Sequence, residues 1–168
     1  MSLSTTALHG LHEELGGRLV DFAGWELPVQ FTGIIAEHQH TRKSVSLFDV
    51  SHMGQVLIRP ESGNLADAAA ALETLIPASV AGLKEGRQRY GLFTDENGGV
   101  LDDLMFANHG DHYFLVVNAA RSDHDLGLLR TLERVTVEHI TDRSLLALQG
   151  PRAEEALAGL IPDAAELR

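Results

Sequence analysis

The stretch QRYGLFTDENGGVLDDLMFANHGDHYFLVVNA, residues 88–119, decides the fold. It contains three runs rich in β-branched and aromatic residues, which predict strands over Gln88–Asp95, Val100–Asn108 and His112–Ala119. The connectors ENGG and HGD are short and glycine-bearing, so successive strands should pair as antiparallel hairpins. Before this stretch, Gln55–Arg59 reads as a strand and Pro60–Gly63 as a turn. Asn64 is placed to cap a helix reaching Ile76, with Asp67 at the capping-box position. After it, Ser122 is placed to cap a helix to Glu133, with Asp125 three residues on. Strands over Val135–Thr141 and Ser144–Leu148 follow, and Gly150-Pro151 opens a last helix over Arg152–Leu160.

The N-terminal third reads differently. Leu8, Leu11 and Leu15 predict a helix over Thr5–Leu15, stopped by Gly16-Gly17. RLVDFAGWELPVQF is a strand-like run broken at Gly24 and Pro28, and a second helix is expected over Ile34–Ser46. Strands and helices alternate without regular βαβ spacing. The expected class is therefore α+β, mainly antiparallel sheet with packed helices.

Composition narrows the function classes. Hydrophobic residues make up 44% of the 168, enough for a core. No apolar run is long enough to span a bilayer, and Met1–Ala7 lacks the basic and apolar blocks of a signal peptide. No cysteine is present, which excludes disulfides, thiolate zinc sites and a cysteine nucleophile and suits a reducing cytoplasm. A net charge of -11 argues against nucleic acid as a partner.

The Asp102-Asp103 pair sits inside a strand. Period two sends the side chains to opposite faces: Val100, Asp102, Leu104 and Phe106 on one, Leu101, Asp103, Met105 and Ala107 on the other. Both faces are otherwise apolar, so at least one carboxylate should lie among apolar groups, suited to hold or exchange a proton on a nitrogen substrate. The structural alternative is a pair bonded to a turn or lying at an exposed edge. Asn118, on one face of the next strand with Phe114 and Val116, offers a donor and an acceptor to a flat heterocycle, or acts as a turn residue before Ser122. Tyr90 is a stacking platform or a core aromatic. His38, His40, His52, His109 and His112 form no HExxH, and no metal site is expected. Ser51 and His52 are sequence neighbours that point apart on a strand, with no GxSxG elbow, so no nucleophile is expected there.

The strings GGRLVDFAGWELPVQF, EHQHTR, SLFDVSHMG, NGGVLDDL, VVNAA and LALQGP occur in this order. Together they resemble the T protein of the glycine cleavage system, the aminomethyltransferase family, from about Leu8 to the end. The resemblance implies a tetrahydrofolate-dependent enzyme. Folate N5 attacks the methylene of an aminomethyl group held on the lipoyl arm of the H protein, ammonia leaves, and methylenetetrahydrofolate and the dihydrolipoyl arm are released. The second aspartate of GGxxDD falls on Asp103, implied to hold the pterin and assist proton movement from an inward-pointing, water-poor position. Other folate contacts carried over are Met53, Leu57, Tyr90, Met105, Val116 and Asn118. Ala107 stands where family members often carry a larger aromatic, which loosens the expected folate packing.

The resemblance also implies domains. Residues 1–53 and 142–168 belong to a discontinuous first domain, left incomplete, and 54–141 form the second. The family's C-terminal β domain and its later GYTGExG-type and LGARDxLRLE-type motifs are missing. The chain is therefore expected to be a truncated, inactive portion that binds folate weakly and exposes an apolar side inviting dimerisation. Lipoylated H protein is the implied partner, and a bacterial cytoplasm or a mitochondrial matrix the implied location. Two relatives of the same fold offer alternatives: a non-catalytic folate binder linked to iron-sulfur cluster repair, and the folate module of a demethylase.

Overall fold

The structure, a computed structural model, describes residues 2–161 and 163. The chain divides into two compact units, one built from residues up to His52 with those from Arg143 onward, the other from Met53–Asp142. Residues 162 and 164–168, in the expected return to the first domain, lie outside the described residues.

The discontinuous unit begins with α1 (His9–Glu14), the antiparallel hairpin β1 (Leu19–Phe22) and β2 (Trp25–Pro28), α2 (Ile34–Lys43) and β3 (Ser46–Asp49). The first helix starts later than Thr5 because Ser4 is already committed: its N–H donates to the Gly24 carbonyl, and its own carbonyl accepts from Glu26. The strand-like run is broken at Gly24 as expected, and the break is a hairpin turn. Ala23 and Gly24 both have positive φ (53° and 81°), as a two-residue hairpin turn of this hand requires. The second helix stops at Lys43 rather than Ser46, because residues 46–49 pair with β9 (Leu146–Gln149), Ser46 opposite Gln149 and Asp49 opposite Leu146. A short helix, α5 (Ala153–Ala158), follows. Glu37 Oε1 accepts the N–H groups of Phe31, Thr32 and Gly33, closing the entry to α2.

The continuous unit comprises β4 (Gly54–Pro60), α3 (Leu65–Leu72), β5 (Gln88–Thr94), β6 (Val100–Asn108), β7 (Tyr113–Val117), α4 (Ser122–Leu129) and β8 (Val135–Ile140). Its strands form one antiparallel five-stranded sheet in the order β5-β6-β7-β4-β8. The ENGG connector closes as expected: Asp95 Oδ1 accepts from the N–H groups of Asn97 and Gly99, and Gly98 takes φ 80°. Both α3 and α4 pack on the face bearing Val56, Ile58, Phe93, Leu104, Phe106, Leu115 and Val117, forming the core with Ala68, Ala69, Leu72, Leu126 and Leu129. Full burial of each large aliphatic side chain there stabilises by about 1.5–3 kcal/mol. The fold is α+β with antiparallel sheets.

Two capping expectations are corrected. Asn64 caps α3 by accepting from the Ala66 N–H, but Asp67 does not close the box on it: Ser62 stands between, accepting from the Asn64 N–H and donating to Asp67. Ser122 is not a cap. A single 3-10 turn, Ala119–Arg121, runs directly into α4, and Ser122 is its first helical residue.

Candidate functional site

The face of the sheet away from α3 and α4 is organised in rows. Tyr90, Met105, Val116, Gln55 and Ile140 stand opposite one another in register across all five strands. Gln88, Ala107, Phe114, Leu57 and Glu138 form a parallel row. On the other side of the first row, Leu92 faces Asp103, and Asn118 follows the end of β7. The sheet thus brings Leu57, Tyr90, Asp103, Met105 and Val116 onto one face, with Asn118 at its edge. Met53 immediately precedes β4 and is half-buried.

Asn118 is the joint between the two aspartates. Its Nδ2 donates to Asp102 Oδ1, to the Asp103 carbonyl and to Asp103 Oδ1, each at 3.1 Å. Its side-chain oxygen remains an acceptor beside an exposed carboxylate.

The environments of the aspartates differ from expectation. Asp103 is exposed, not enclosed in a water-poor cavity. Beside it Tyr90 is 72% exposed and Leu92 42%, whereas Val116 and Gln55 further along the row are buried. Asp102 takes the apolar side. Its Oδ2 is buried without a hydrogen-bond partner, next to Asp125 of α4, which is fully buried. By residue type and its place three residues after Ser122, Asp125 is expected as a capping-box residue. The signal that places it inward is its spacing, four residues before Leu129 and one before Leu126, on the stripe that meets the core.

This face suits a flat, nitrogen-rich heterocycle. An exposed tyrosine ring offers a stacking surface, a thioether adapts to a ring edge, and a carboxylate accepts from ring and exocyclic N–H groups. The candidate metal histidines go elsewhere. His109 and His112 stack on each other, and His112 Nδ1 is held by Asp111 and Arg59. Among the described residues, no group of three or more His, Asp or Glu could hold a metal ion.

Residues 48–52 of the FDVSHM stretch do structural work in the discontinuous unit. Asp49 Oδ2 accepts from the Thr6 hydroxyl at 2.6 Å and lies 3.1 Å from His12 Nε2; Asp49 Oδ1 accepts from the Ser51 N–H. Burial opposes ionisation of Asp49, yet the Ser51 and Thr6 hydrogen bonds together hold its carboxyl below the usual range. Ser51 Oγ accepts from the Leu145 N–H and donates to the Leu145 carbonyl, tying the two chain segments of the unit together. The His52 ring meets Phe22 edge-on, and burial lowers its pKa.

Comparison with known proteins gives a consistent picture. Residues 8–167 match the family described as GCVT N-terminal domain. An aminomethyltransferase of Chloroherpeton thalassium is 42% identical over 160 residues, covering 92% of this chain and 43% of that protein. A mitochondrial aminomethyltransferase of Dictyostelium discoideum is 38% identical over 172 residues, covering 96% and 41%. The crystal structure of glycine cleavage system aminomethyltransferase T from Bartonella henselae superposes with a TM-score of 0.85 at 36% identity, covering 94% of this chain and 44% of that one. The chain therefore spans less than half the length of the relatives it matches.

Proposed function

Because this chain belongs to the GCVT N-terminal domain family, we propose that its five-stranded sheet is the tetrahydrofolate-binding surface of an aminomethyltransferase. The reaction moves the methylene of an aminomethyl-lipoyl group, carried by a lipoylated H protein, to tetrahydrofolate with release of ammonia. The observation that carries this reading is the row Tyr90–Met105–Val116, with Asp103 and Asn118 beside it on the same open side of the sheet.

Each residue has a role in this reading. Asp103 accepts from the pterin N–H groups and takes part in proton movement as N5 becomes the nucleophile. Asn118, fixed through Nδ2, presents its oxygen to the ring. Tyr90, Met105, Val116 and Leu57 supply the apolar platform, and Met53 borders it. The chain's contribution to rate is chiefly orientation, holding N5 for the incoming methylene. We assign Met53–Asp142 as the domain carrying this surface. No described helix is long and apolar enough to cross a membrane; we place the protein in a bacterial cytoplasm or mitochondrial matrix, consistent with its lack of cysteine.

Equilibrium titration of tetrahydrofolate tests the proposal. The native chain should bind, and Asp103→Ala should bind about tenfold or more weakly, the loss expected for one hydrogen bond to a charged group. Absence of binding by either protein would reject the folate assignment; equal affinity of both would remove Asp103 from the site.

A further inference from the structure

On the helix-covered side of the same sheet, the carboxyl of Asp102 of β6 adjoins that of Asp125 of α4. Each has one satisfied oxygen. Asp102 Oδ1 accepts from Asn118 Nδ2 at 3.1 Å, and Asp125 Oδ1 lies 3.0 Å from His124 Nδ1. The other two oxygens, Asp102 Oδ2 and Asp125 Oδ2, are both buried and both lack a partner. Two ionised carboxylates cannot be left side by side in an apolar interior with an unpaired oxygen each. A single proton satisfies both.

We propose that Asp102 and Asp125 share one proton, and that this bridged pair is a positioning device that sets how the Asn118 amide is held against Asp103. The chain of contacts runs Asp125–Asp102–Asn118–Asp103, through the sheet from its covered face to its open one. The titratable groups facing Asp125 are Asp102 from β6 and His124 from its own helix. Burial, reinforced by Asp102 and opposed by the His124 hydrogen bond, pushes the Asp125 carboxyl up to about 6. Loss of the shared proton makes Asp102 a full anion, which draws the Asn118 N–H groups toward itself and away from Asp103. The link to catalysis rests on the folate reading; the shared proton does not.

The test is an NMR pH titration of the whole chain without folate, following the Asp carboxyl carbons and the Asn118 side-chain amide. The pair should take up its protons in two separate steps, the upper with a midpoint near 6. The Asn118 amide signals should move with the upper step. In Asp125→Asn that movement should vanish between pH 5 and 8, whereas a response driven by His124 would persist. In Asp102→Asn the Asp125 midpoint should fall, burial alone still holding it raised. Two carboxyls titrating independently at ordinary values, an Asn118 amide flat through the range in the native chain, or an unchanged Asn118 midpoint in Asp125→Asn would each overturn the proposal. Because no folate is present, these outcomes leave the folate assignment untouched, and failure of folate binding leaves the shared proton untouched.

Discussion

Gly150→Ala is expected to unfold the corner formed by α2, β3, β9 and α5, at a cost of roughly 4 kcal/mol or more. Gly150 has φ 123°, a backbone conformation that L side chains rarely adopt. An added Cβ would meet the Ser44 carbonyl oxygen at 2.2 Å and that of Thr41 at 2.7 Å. Both are main-chain atoms at the end of α2, so no side-chain rotation relieves the overlap. The contact cannot be surrendered cheaply, since the Arg152 N–H donates to the same Ser44 carbonyl. This is the physical content of LQGP: the backbone must pass against a helix end with no side chain between. Hydrogen exchange checks it. Amides of β3 and β9 should lose protection in Gly150→Ala while those of β4–β8 keep theirs; unchanged protection in β3 and β9 would contradict the argument.

Asp49→Ala is expected to cost about 3–5 kcal/mol, the range for removing one partner from a buried charged network. The Asp49 side chain is 3% exposed and that of His12 8%. Truncation leaves the Thr6 hydroxyl, the His12 ring and the Ser51 N–H without their acceptor. The pH dependence has a definite sign. The folded-state pKa of Asp49 is lowered, so its contribution is present above the unfolded value of about 4 and is lost as pH falls through the lower folded value. The difference in unfolding free energy between the native chain and Asp49→Ala should therefore be largest near neutrality and shrink below about pH 4. Denaturant melts at neutral and acid pH measure it. A difference independent of pH would show that the carboxylate's charge plays no part.

What the sequence made legible follows from how local each signal is. The β5–β6–β7 meander could be read because its turns carry their own chemistry, Asp95 and Gly98 closing one of them without outside help. The alternation along β6 separated Asp102 from Asp103 for the same reason. It did not say which face the helices cover, and so the exposed carboxylate was expected to be enclosed. The pairing of β3 with β9 joins segments about a hundred residues apart, and no local pattern in SLFD announces it. Thr5 and Ser122 failed as helix landmarks because tertiary or adjoining structure had claimed them: Ser4 bonds to the β1–β2 hairpin, and a 3-10 turn enters α4. Asp125 was legible only through its spacing to Leu129, since its residue type argues for a cap.

If the side of the five-stranded sheet away from α3 and α4 receives the pterin, amide and methyl NMR mapping of the labelled chain with tetrahydrofolate will show it. The largest perturbations should fall at Leu57, Tyr90, Asp103, Met105, Val116 and Asn118, with Ala68 and Leu126 on the covered side unmoved. Perturbations centred on α3 and α4, or none at saturating tetrahydrofolate, would contradict it.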